Sequence, residues 1–508
     1  MRLACGGETG LVSRRLPGNH DPVALHAALA AEAGAAPLLF RRTDGRALIL
    51  VDSALRLEAG ALDATITAHS EGGELLLDRL AAHHAEHLVT RTPRRADLRF
   101  ERCDHPDEAI RSAAPTPLDA LRSIVFGTSA LDRDEPFALV AAGIAGFDHV
   151  DMVERLVPRA PGDFPDLLFL LAETLVVIEP SGATRILALA IGADQQAVAH
   201  RQHYLAAERL ARLVDRCESA VPPAEPPPPH GLHAEPDLDD RAFGAGVERL
   251  KQHIAAGDIF QAVPSRCFRA PCADGLAAFR RLVAADPSAY QFAFDTGHGL
   301  LIGASPETAL ELRRDGATLT VSVSPIAGTR PRGVTADEDD RHEADLRLDA
   351  KEVAEHLMLV DLARNDVARV SRSGTRRVSR MLGVERFARV MHLVSNVEGE
   401  LGEGLDAIDA MRACLNVGTL SGAPKLRAIE LIRSVETSAR GPYGGAIGWI
   451  AGDGSMDSAV VIRSALIRDG IAEVRAGAGV VQDSDPAAEA AETRAKASAV
   501  LAALGAAA

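Results

Sequence analysis

A proline-rich stretch divides this chain of 508 residues into two unequal parts. The stretch reads AVPPAEPPPPHGLHAEP and covers residues 220–236. Proline fixes its own backbone angle and has no N–H to donate, so such a run stays extended and outside a packed core. We therefore expect a region of sheet and helices over residues 1–219, a linker over 220–236 and a second region over 237–508.

Both regions mix strand-like and helix-like runs. Before the linker, apolar runs such as RALILVDSALRLEA and LLFLLAETLVVIEP alternate with helical runs such as QAVAHRQHYLAAERLARLVDRC. After it, the helical stretch EADLRLDAKEVAEHLMLVDLARND alternates with strands such as GAIGWIAG and DSAVVIRSAL. No βαβ series of regular period is present. The pattern predicts an α+β fold, with strands grouped into large sheets and helices outside them.

Charge and cysteine use exclude several classes of protein. The net charge of −16 argues against nucleic-acid binding, because phosphate recognition needs a basic face. Six scattered cysteines without metal-type spacing are typical of free thiols in a reducing compartment. No apolar run of about 18 residues is present, and the first residues lack the apolar core of a signal peptide. We expect a cytoplasmic protein without a membrane segment.

Two helical stretches each carry a pair of glutamates three residues apart. Glu352 and Glu355 form one pair, and Glu489 and Glu492 form the other, in a stretch that Asp485 can cap. Each pair lies on one helical face, so its carboxylates can approach one point. Carboxylates without nearby His or Cys suit Mg²⁺, although two solvated helix faces would have the same spacing.

Glycine-rich loops are concentrated after the linker. Small residues let backbone N–H groups approach carboxylate or phosphate oxygens, although ordinary turns use the same residues. The loop NVGTLSGAPK ends in Gly-Ala-Pro-Lys, which does not match the Gly-Lys-Ser/Thr end of a nucleotide-binding loop. The sequence therefore does not indicate ATP binding. The loops are SPIAGTRPRG (324–333), NVGTLSGAPK (416–425), RGPYGGAIGWI (440–450) and RAGAGVV (475–481).

Eight motifs, taken in order, closely resemble the anthranilate synthase component I group of the chorismate-utilising enzymes. The motifs are GASPET (303–308), SPIAGTRPRG, EHLMLVDLARND (355–366), VMHLVS (390–395), GTLSGAPK, GPYGGAIG, DSAVVIRSAL and GAGVVQDSDPAAEAAETRAKA. The resemblance implies antiparallel-rich sheets packed on each other. It also implies a Mg²⁺-dependent lyase that makes anthranilate and pyruvate from chorismate and ammonia.

The resemblance assigns acidic residues to the metal and to proton donation. Glu355 and Glu492 match the family's Mg²⁺ ligands, and Glu352 and Glu489 match carboxylates that hold metal-bound water. Glu307 matches the general acid that protonates the departing ring hydroxyl.

The remaining assignments concern the second half-reaction and substrate binding. His392 matches the histidine assigned to removal of a ring proton and release of pyruvate, although alone it would be typical of a buried core histidine. Thr419, taken as catalytic, matches a position that contacts substrate through its hydroxyl. The other matched substrate-binding positions are Gln261, Gly328, Thr329, Tyr443, Arg463, Gly477, Ala478 and Gly479.

Two positions distinguish this chain from other branches of the family. Branches that add water carry a lysine base where this chain has Gln261, so ammonia is the expected nucleophile. Aminodeoxychorismate synthases carry a lysine where this chain has Ala327, which favours amination next to the ring carboxylate.

The source of ammonia is expected to be another polypeptide. No cysteine stands in the Gly-x-Cys-x-Gly nucleophile turn of a glutamine amidotransferase. We expect a separate amidotransferase subunit, hence a hetero-oligomer.

The region matching the family's tryptophan site departs from its pattern. Where inhibited members carry Leu-Leu-Glu-Ser-Ala, this chain reads LLFRRTD, with Arg41 in place of the glutamate and Arg42 in place of the serine. Where they carry Asn-Pro-Ser-Pro-Tyr-Met, it has Ala289 and Gln291. Added bulk and reversed charge predict weakened tryptophan inhibition; a rearranged but working effector site is the alternative.

Two rival functions stay open at the level of sequence. A 2-amino-2-deoxyisochorismate synthase would share the metal site and the amination but would not release pyruvate. A non-catalytic chorismate-binding scaffold would not need Glu307, Glu355, His392 and Glu492 together, and this chain has all four.

Overall fold

The computed structural model describes residues 3–33, 36–224, 229–386 and 390–507. Its helices are α1 (Pro22–Ala33), α2 (Glu71–His83), α3 (Glu108–Ala113), α4 (Pro117–Phe126), α5 (Gln196–Ser219), α6 (Asp240–Ala255), α7 (Gly275–Ala285), α8 (Ala336–Leu348), α9 (Ala350–Ala368), α10 (Ala407–Cys414), α11 (Lys425–Val435) and α12 (Pro486–Leu504), with a 3₁₀ turn at Phe147–Met152.

The strands alternate with these helices along the chain. Before α5 they are β1 (Glu8–Asn19), β2 (Leu38–Arg42), β3 (Ala47–Ala59), β4 (Asp63–Ala68), β5 (Leu88–Thr92), β6 (Arg95–Arg99), β7 (Ser129–Ala130), β8 (Val140–Ala145), β9 (Leu167–Ile178) and β10 (Ala183–Ile191). Between α5 and α9 they are β11 (Leu232–His233), β12 (Glu235–Pro236), β13 (Gln261–Ala262), β14 (Ser265–Pro271), β15 (Tyr290–Asp295), β16 (Leu300–Ser305), β17 (Thr308–Asp315), β18 (Thr318–Val323) and β19 (Ile326–Pro331). After α9 they are β20 (Arg377–Arg386), β21 (Val390–Glu400), β22 (Gly422–Ala423), β23 (Ala446–Ala451), β24 (Met456–Val460), β25 (Ser464–Arg468), β26 (Ile471–Gly477) and β27 (Ala506–Ala507).

Strands from before and after the linker join one hydrogen-bonded network. Strand β2 pairs with β15, and β8 pairs with β23, both antiparallel. Within the described residues, the network links 23 strands, with β1–β7 as its parallel pair. The predicted α+β fold with large antiparallel-rich sheets is confirmed; the division at the linker stays a prediction.

Strand β9 separates two apolar cores. All its residues are buried, and side chains on successive residues point to opposite faces. Leu167, Phe169 and Leu171 join a core with helices α2, α4 and α10. Leu168 and Leu170 join a core formed by strands, which includes Phe292 and Trp449. Sheet therefore packs on sheet on one side, and helices cover the other.

Two continuous runs of the sequence are each divided in the structure. The helical run EADLRLDAKEVAEHLMLVDLARND breaks at Asp349, whose side chain accepts hydrogen bonds from the backbone of Lys351 and Glu352 and starts α9. The strand run DSAVVIRSAL breaks into β24 and β25, and Arg463 between them has φ of 47°. Both breaks position residues of the predicted site.

The C-terminal helix begins and ends as its capping residues predict. Asp485 accepts a hydrogen bond from the N–H of Ala488, and Gly505 ends α12 with φ of 82°. Just beyond, β27 pairs with β11 of the linker. Residues 225–228 of the predicted linker lie outside the described residues.

Cys5, Cys103, Cys267, Cys272 and Cys414 are free thiols, as their spacing predicts. In the described ranges, no helix combines the length and apolar character needed to cross a bilayer.

Candidate active site

Glu307 is a buried carboxylic acid at the junction of β16 and β17. Its side chain is 5% exposed, and burial raises its pKa to about 7. Thr419 Oγ1 lies 2.7 Å from Glu307 Oε1, and this hydrogen bond opposes the rise. A small cleft beside the pair is also lined by Pro325 and Leu359. At neutral pH a large fraction of this carboxyl group is protonated, which an acid catalyst requires.

His392 lies on β21 and is held by the neighbouring strand β19. Its Nδ1 is 2.8 Å from the carbonyl oxygen of Gly328 and 3.2 Å from Thr329 Oγ1. A carbonyl can only accept, so Nδ1 carries the proton and the lone pair resides on Nε2. Burial lowers the pKa of His392, and the nearby cations Arg463 and Lys496 lower it further. The ring is therefore neutral at pH 7 and able to accept a proton.

The four predicted carboxylates on α9 and α12 differ in exposure. Glu489 is buried, Glu352 and Glu355 are half-buried, and Glu492 is exposed. Burial raises the pKa of Glu352, Glu355 and Glu489, and the negative charge of Glu492 raises each of them further. The two helices thus bring the predicted pairs close enough to repel one another.

The carboxylates do not close around a single point. Among the described residues, no three acid, His or Cys side chains are arranged as a set of metal ligands. Glu492 instead lies 2.7 Å from Lys496 Nζ. Glu489 Oε2, however, is buried without a hydrogen-bond partner. This donor set fits a hard cation that takes one or two carboxylates and completes its shell with water and substrate oxygen.

Lys496 is a site residue that the sequence did not reveal. Its Nζ donates to the carbonyl oxygen of Gly477 at 3.1 Å, and its charge lowers the pKa of Glu307, Glu355 and His392. It therefore lies near the acid, the base and the carboxylates together. The only signal was its place four residues after Glu492, a spacing shared with ordinary surface ion pairs.

Gln261 lies between the Glu355 carboxylate and the backbone at Gly479, just after β26. It is 2% exposed, and its Nε2 donates to Glu355 Oε1 at 3.1 Å. A Cβ on Gly479 would lie 2.9 Å from that Nε2 and 3.4 Å from Glu355. A side chain at Gly479 would therefore push the Gln261 amide away from Glu355. Ala478 is buried beside it, and its N–H bonds the carbonyl of Pro264.

Tyr443 lies beside Gly477, the last residue of β26. Its hydroxyl would be 3.1 Å from a Cβ on Gly477, and it is hydrogen-bonded to that glycine's backbone. Burial raises its pKa to about 12. The phenol therefore stays protonated and can donate to an anion.

Arg463 supplies a cation close to His392. It is half-buried, and its Nη1 lies 3.3 Å from Asp286 Oδ2. Gly328, with φ of 66°, lies near Glu352, since a Cβ there would be 3.2 Å from its carboxylate. Thr329 is exposed. The structure thus gathers the predicted substrate-binding residues around His392 and the carboxylates.

The end of α9 contains a second contact that the sequence did not indicate. Asp366 is buried, and its Oδ2 accepts from Lys425 Nζ at 2.8 Å. Lys425 also donates to the carbonyl of Leu415 at 3.1 Å. This pair fixes the GTLSGAPK loop, which carries Thr419, against α9. Asp361 and Arg364, by contrast, form an ion pair outside on the helix surface.

The two segments that match the family's tryptophan site are neighbours in the sheet. Arg42 is paired with Tyr290, and Arg41 with Gln291, across β2 and β15. Arg42 Nη1 lies 3.0 Å from Asp457 Oδ2 and 3.6 Å from Glu311 Oε1. Its guanidinium carbon is 5.1 Å from the Tyr290 ring centroid.

Comparisons with known proteins agree on one family. The model of the chorismate binding enzyme family matches residues 75–502. The anthranilate synthase component 1, pyocyanine specific, of Pseudomonas aeruginosa is 47% identical over 91% of this chain and 87% of its own length. The anthranilate synthase component 1 of Vibrio cholerae is 42% identical over 96% of this chain and 95% of its own length.

Solved structures agree with the fold. Anthranilate synthase component I from Streptococcus pneumoniae superposes with a TM-score of 0.70 at 29% identity, covering 90% of this chain and 92% of that one. The menaquinone-specific isochorismate synthase of Escherichia coli superposes with a TM-score of 0.67 at 17% identity, covering 99% of this chain and 96% of that one. This similarity is one of fold alone.

Proposed function

The chain belongs to the chorismate binding enzyme family, and from that premise we propose that it is a lyase converting chorismate to anthranilate. Relatives named anthranilate synthase component 1 are 36–47% identical over most of the chain. The observation that carries the chemistry is the pairing, in one site, of a buried acid with a pKa of about 7 and a neutral histidine. Such a pair can donate one proton and remove another.

Glu307 is the proposed acid of the first half-reaction. Ammonia attacks the ring carbon next to the ring carboxylate, and the hydroxyl on another ring carbon leaves. Protonation by Glu307 turns that hydroxyl into water, a better leaving group. Thr419 keeps the carboxyl oriented through its hydrogen bond.

His392 is the proposed base of the second half-reaction. A proton leaves the ring at the carbon that bears the new amine, the enolpyruvyl group departs as pyruvate, and the ring becomes aromatic. The carbonyl of Gly328 fixes the tautomer, so Nε2 is the atom that takes the proton.

Arg463 and Tyr443 are proposed to bind substrate carboxylates. A guanidinium can pair with both oxygens of a carboxylate, and a phenol that stays protonated can donate a further hydrogen bond. Lys496, close to Glu307 and His392, adds positive charge for a substrate with two carboxylates. Gly328, Gly477 and Gly479 leave room for the substrate to approach the backbone closely.

Mg²⁺ is the proposed cofactor, with Glu355 and Glu492 as direct ligands and Glu352 and Glu489 holding metal-bound water. When bound, the ion would neutralise the ring carboxylate of chorismate. Two observations support this assignment: the negative charge of Glu492 raises the pKa of both Glu355 and Glu489, and Glu489 Oε2 is buried without a hydrogen-bond partner. Lys496 would have to release Glu492 for that residue to bind the metal.

Ammonia, rather than water, is the proposed nucleophile. Gln261 occupies the position where a lysine would activate water, and its amide donates to Glu355, so it offers no base. The relatives' designation as component 1 implies a second component. We propose that this component is a glutamine amidotransferase subunit that supplies the ammonia.

Weakened tryptophan inhibition is proposed from the contacts of Arg42. The guanidinium lies between Tyr290, Asp457 and Glu311, so the space of a small serine is filled by a paired cation. The 47% identity to a pyocyanine-specific relative is in keeping with a role outside tryptophan supply. Inhibition by micromolar tryptophan would contradict this proposal.

A cytoplasmic location is proposed from cysteine usage. Cys267 and Cys272, which are five residues apart, are free thiols, as are Cys5, Cys103 and Cys414. Free thiols persist where the compartment is reducing.

Product identification tests the proposed reaction. The purified chain, incubated with chorismate, Mg²⁺ and ammonium at alkaline pH, should release fluorescent anthranilate and an equal amount of pyruvate. Amine without pyruvate would indicate 2-amino-2-deoxyisochorismate instead. Unchanged chorismate would support a scaffold without activity.

A further inference from the structure

A second cavity lies in the N-terminal part of the molecule, between α2, β3 and α4. Its volume is about 240 Å³. Leu55, Leu76, Leu80 and Ile124 form its apolar walls. A cavity of about 150 Å³ lined by aliphatic side chains already takes up benzene. This cavity therefore has room for a molecule with one ring.

Two polar groups line this cavity without satisfying all their hydrogen-bonding atoms. Arg79 Nη2 donates to the carbonyl of Gly192 at 3.3 Å, while its Nη1 is buried and has no hydrogen-bond partner. Thr128 Oγ1 is likewise buried without a partner. Within the described ranges, Arg79 forms no ion pair. Arg79 is half-buried, and a buried guanidinium N–H without an acceptor costs free energy unless a ligand supplies one.

The cavity shares no residue with the candidate active site. It is lined by side chains of residues 55–128, whereas the acid, the base and the carboxylates belong to residues 307–492. It is also separate from the Arg42 region, because Leu55 lies on the half of β3 that pairs with β4, whereas β2 pairs with the first half.

We propose that this cavity binds a small monocarboxylic acid with an apolar, ring-sized body. The carboxylate would accept from Arg79 Nη1 and from the hydroxyl of Thr128, and the body would fill the space between the leucines and Ile124. The exposed His83 lies at the rim. One charged donor, one hydroxyl and an apolar wall select an acid over a neutral molecule of the same shape.

Benzoate is the probe that tests the site in the full-length chain. Its binding is followed by ligand-observed NMR for the unmodified chain, Arg79→Met, Thr128→Val and the cavity-filling Ile124→Phe. Arg201→Met is the matched control, because that arginine is 62% exposed and pairs with Glu71 on the outside of α2. Benzamide, which has the same shape without the charge, is the ligand control.

We expect benzoate to bind the unmodified chain and Arg201→Met equally, and Arg79→Met at least about tenfold more weakly. Thr128→Val should weaken binding less, Ile124→Phe should prevent it, and benzamide should bind more weakly than benzoate. Equal binding to the unmodified chain and Arg79→Met, or none at millimolar benzoate, would overturn the proposal. Displacement of benzoate by chorismate from an inactive Glu355→Gln chain would place the acid in the active site and would also overturn it.

Discussion

The hydroxyl of Thr419 lies 2.7 Å from the buried carboxyl group of Glu307. The two residues come from different loops, one after β16 and one after α10, and the contact joins them at the cleft. Burial raises the pKa of Glu307 to about 7, and the hydrogen bond from Thr419 holds it below what burial alone would give. The contact therefore sets both the position and the proton affinity of the proposed acid.

Thr419→Val should shift the pH dependence of the reaction. Loss of the hydrogen bond removes a group that favours the charged carboxylate, so the pKa of Glu307 rises. A general acid must be protonated, so the alkaline limb of the kcat/KM profile moves to higher pH. The rate at neutral pH should fall about tenfold because orientation is lost. Thr419→Ser keeps the hydroxyl and should behave like the unmodified chain; an unmoved alkaline limb in the valine variant would contradict the assignment.

Glu307→Gln should reduce turnover while stabilising the fold at alkaline pH. The pKa of Glu307 is about 7 in the folded chain, against 4.5 for an exposed glutamate. The free energy of unfolding therefore falls as pH rises from 4.5 to 7. Above pH 7, ionised Glu307 lowers the free energy of unfolding by an amount on the order of 3 kcal/mol. The glutamine variant lacks this cost, so its thermal midpoint should exceed that of the unmodified chain near pH 8 but not near pH 4. Turnover should fall roughly a thousandfold. Midpoints that track each other at every pH would refute the raised pKa.

Glu355→Gln should abolish turnover through loss of a metal ligand. Asp361→Asn on the same helix is the matched control, because Asp361 is 78% exposed and pairs with Arg364 on the surface. We expect at least about a hundredfold loss for the first variant and less than about twofold for the second. Activity is measured over a range of Mg²⁺ concentrations, with chelator as the blank. Retained activity of Glu355→Gln at ordinary Mg²⁺ would contradict the metal assignment.

Arg42→Ser should destabilise the fold through Asp457. That carboxylate is 2% exposed, and Arg42 is its cationic partner, although Arg42 is itself partly exposed. Breaking a pair of this kind leaves a buried charge, at a cost of about 2 kcal/mol after allowance for solvent. The thermal midpoint should fall, and Asp457→Asn in the same chain should restore part of the loss. A midpoint unchanged in the single variant would show that the pair is not coupled.

Local features of the site could be predicted from the sequence because they depend on residues close together in the chain. The spacing of Glu352 with Glu355 and the cap at Asp485 follow from helix geometry alone. The burial of Glu307 could not be predicted in this way, since it depends on the loop around Thr419 meeting the end of β16. Lys496 was missed for the same reason.

The type of sheet could be predicted, but not which strands pair with each other. The strand-like and helix-like runs indicated large sheets with helices outside, and the family resemblance implied antiparallel-rich sheets, which the structure has. Neither indicated that β2 lies beside β15. The division of the long helical run at Asp349 was also missed, because the apolar and charged pattern continues through it. Asp366 and Lys425, 59 residues apart, meet through tertiary packing alone.

We propose that one site carries out amination with Glu307 as acid and elimination with His392 as base. Product analysis of His392→Asn with chorismate, ammonium and Mg²⁺ tests it most directly. We expect chorismate to be consumed and an aminated, non-aromatic product to accumulate, with pyruvate release reduced at least about a hundredfold. Anthranilate and pyruvate formed in equal amounts at the rate of the unmodified chain would exclude His392 as the base.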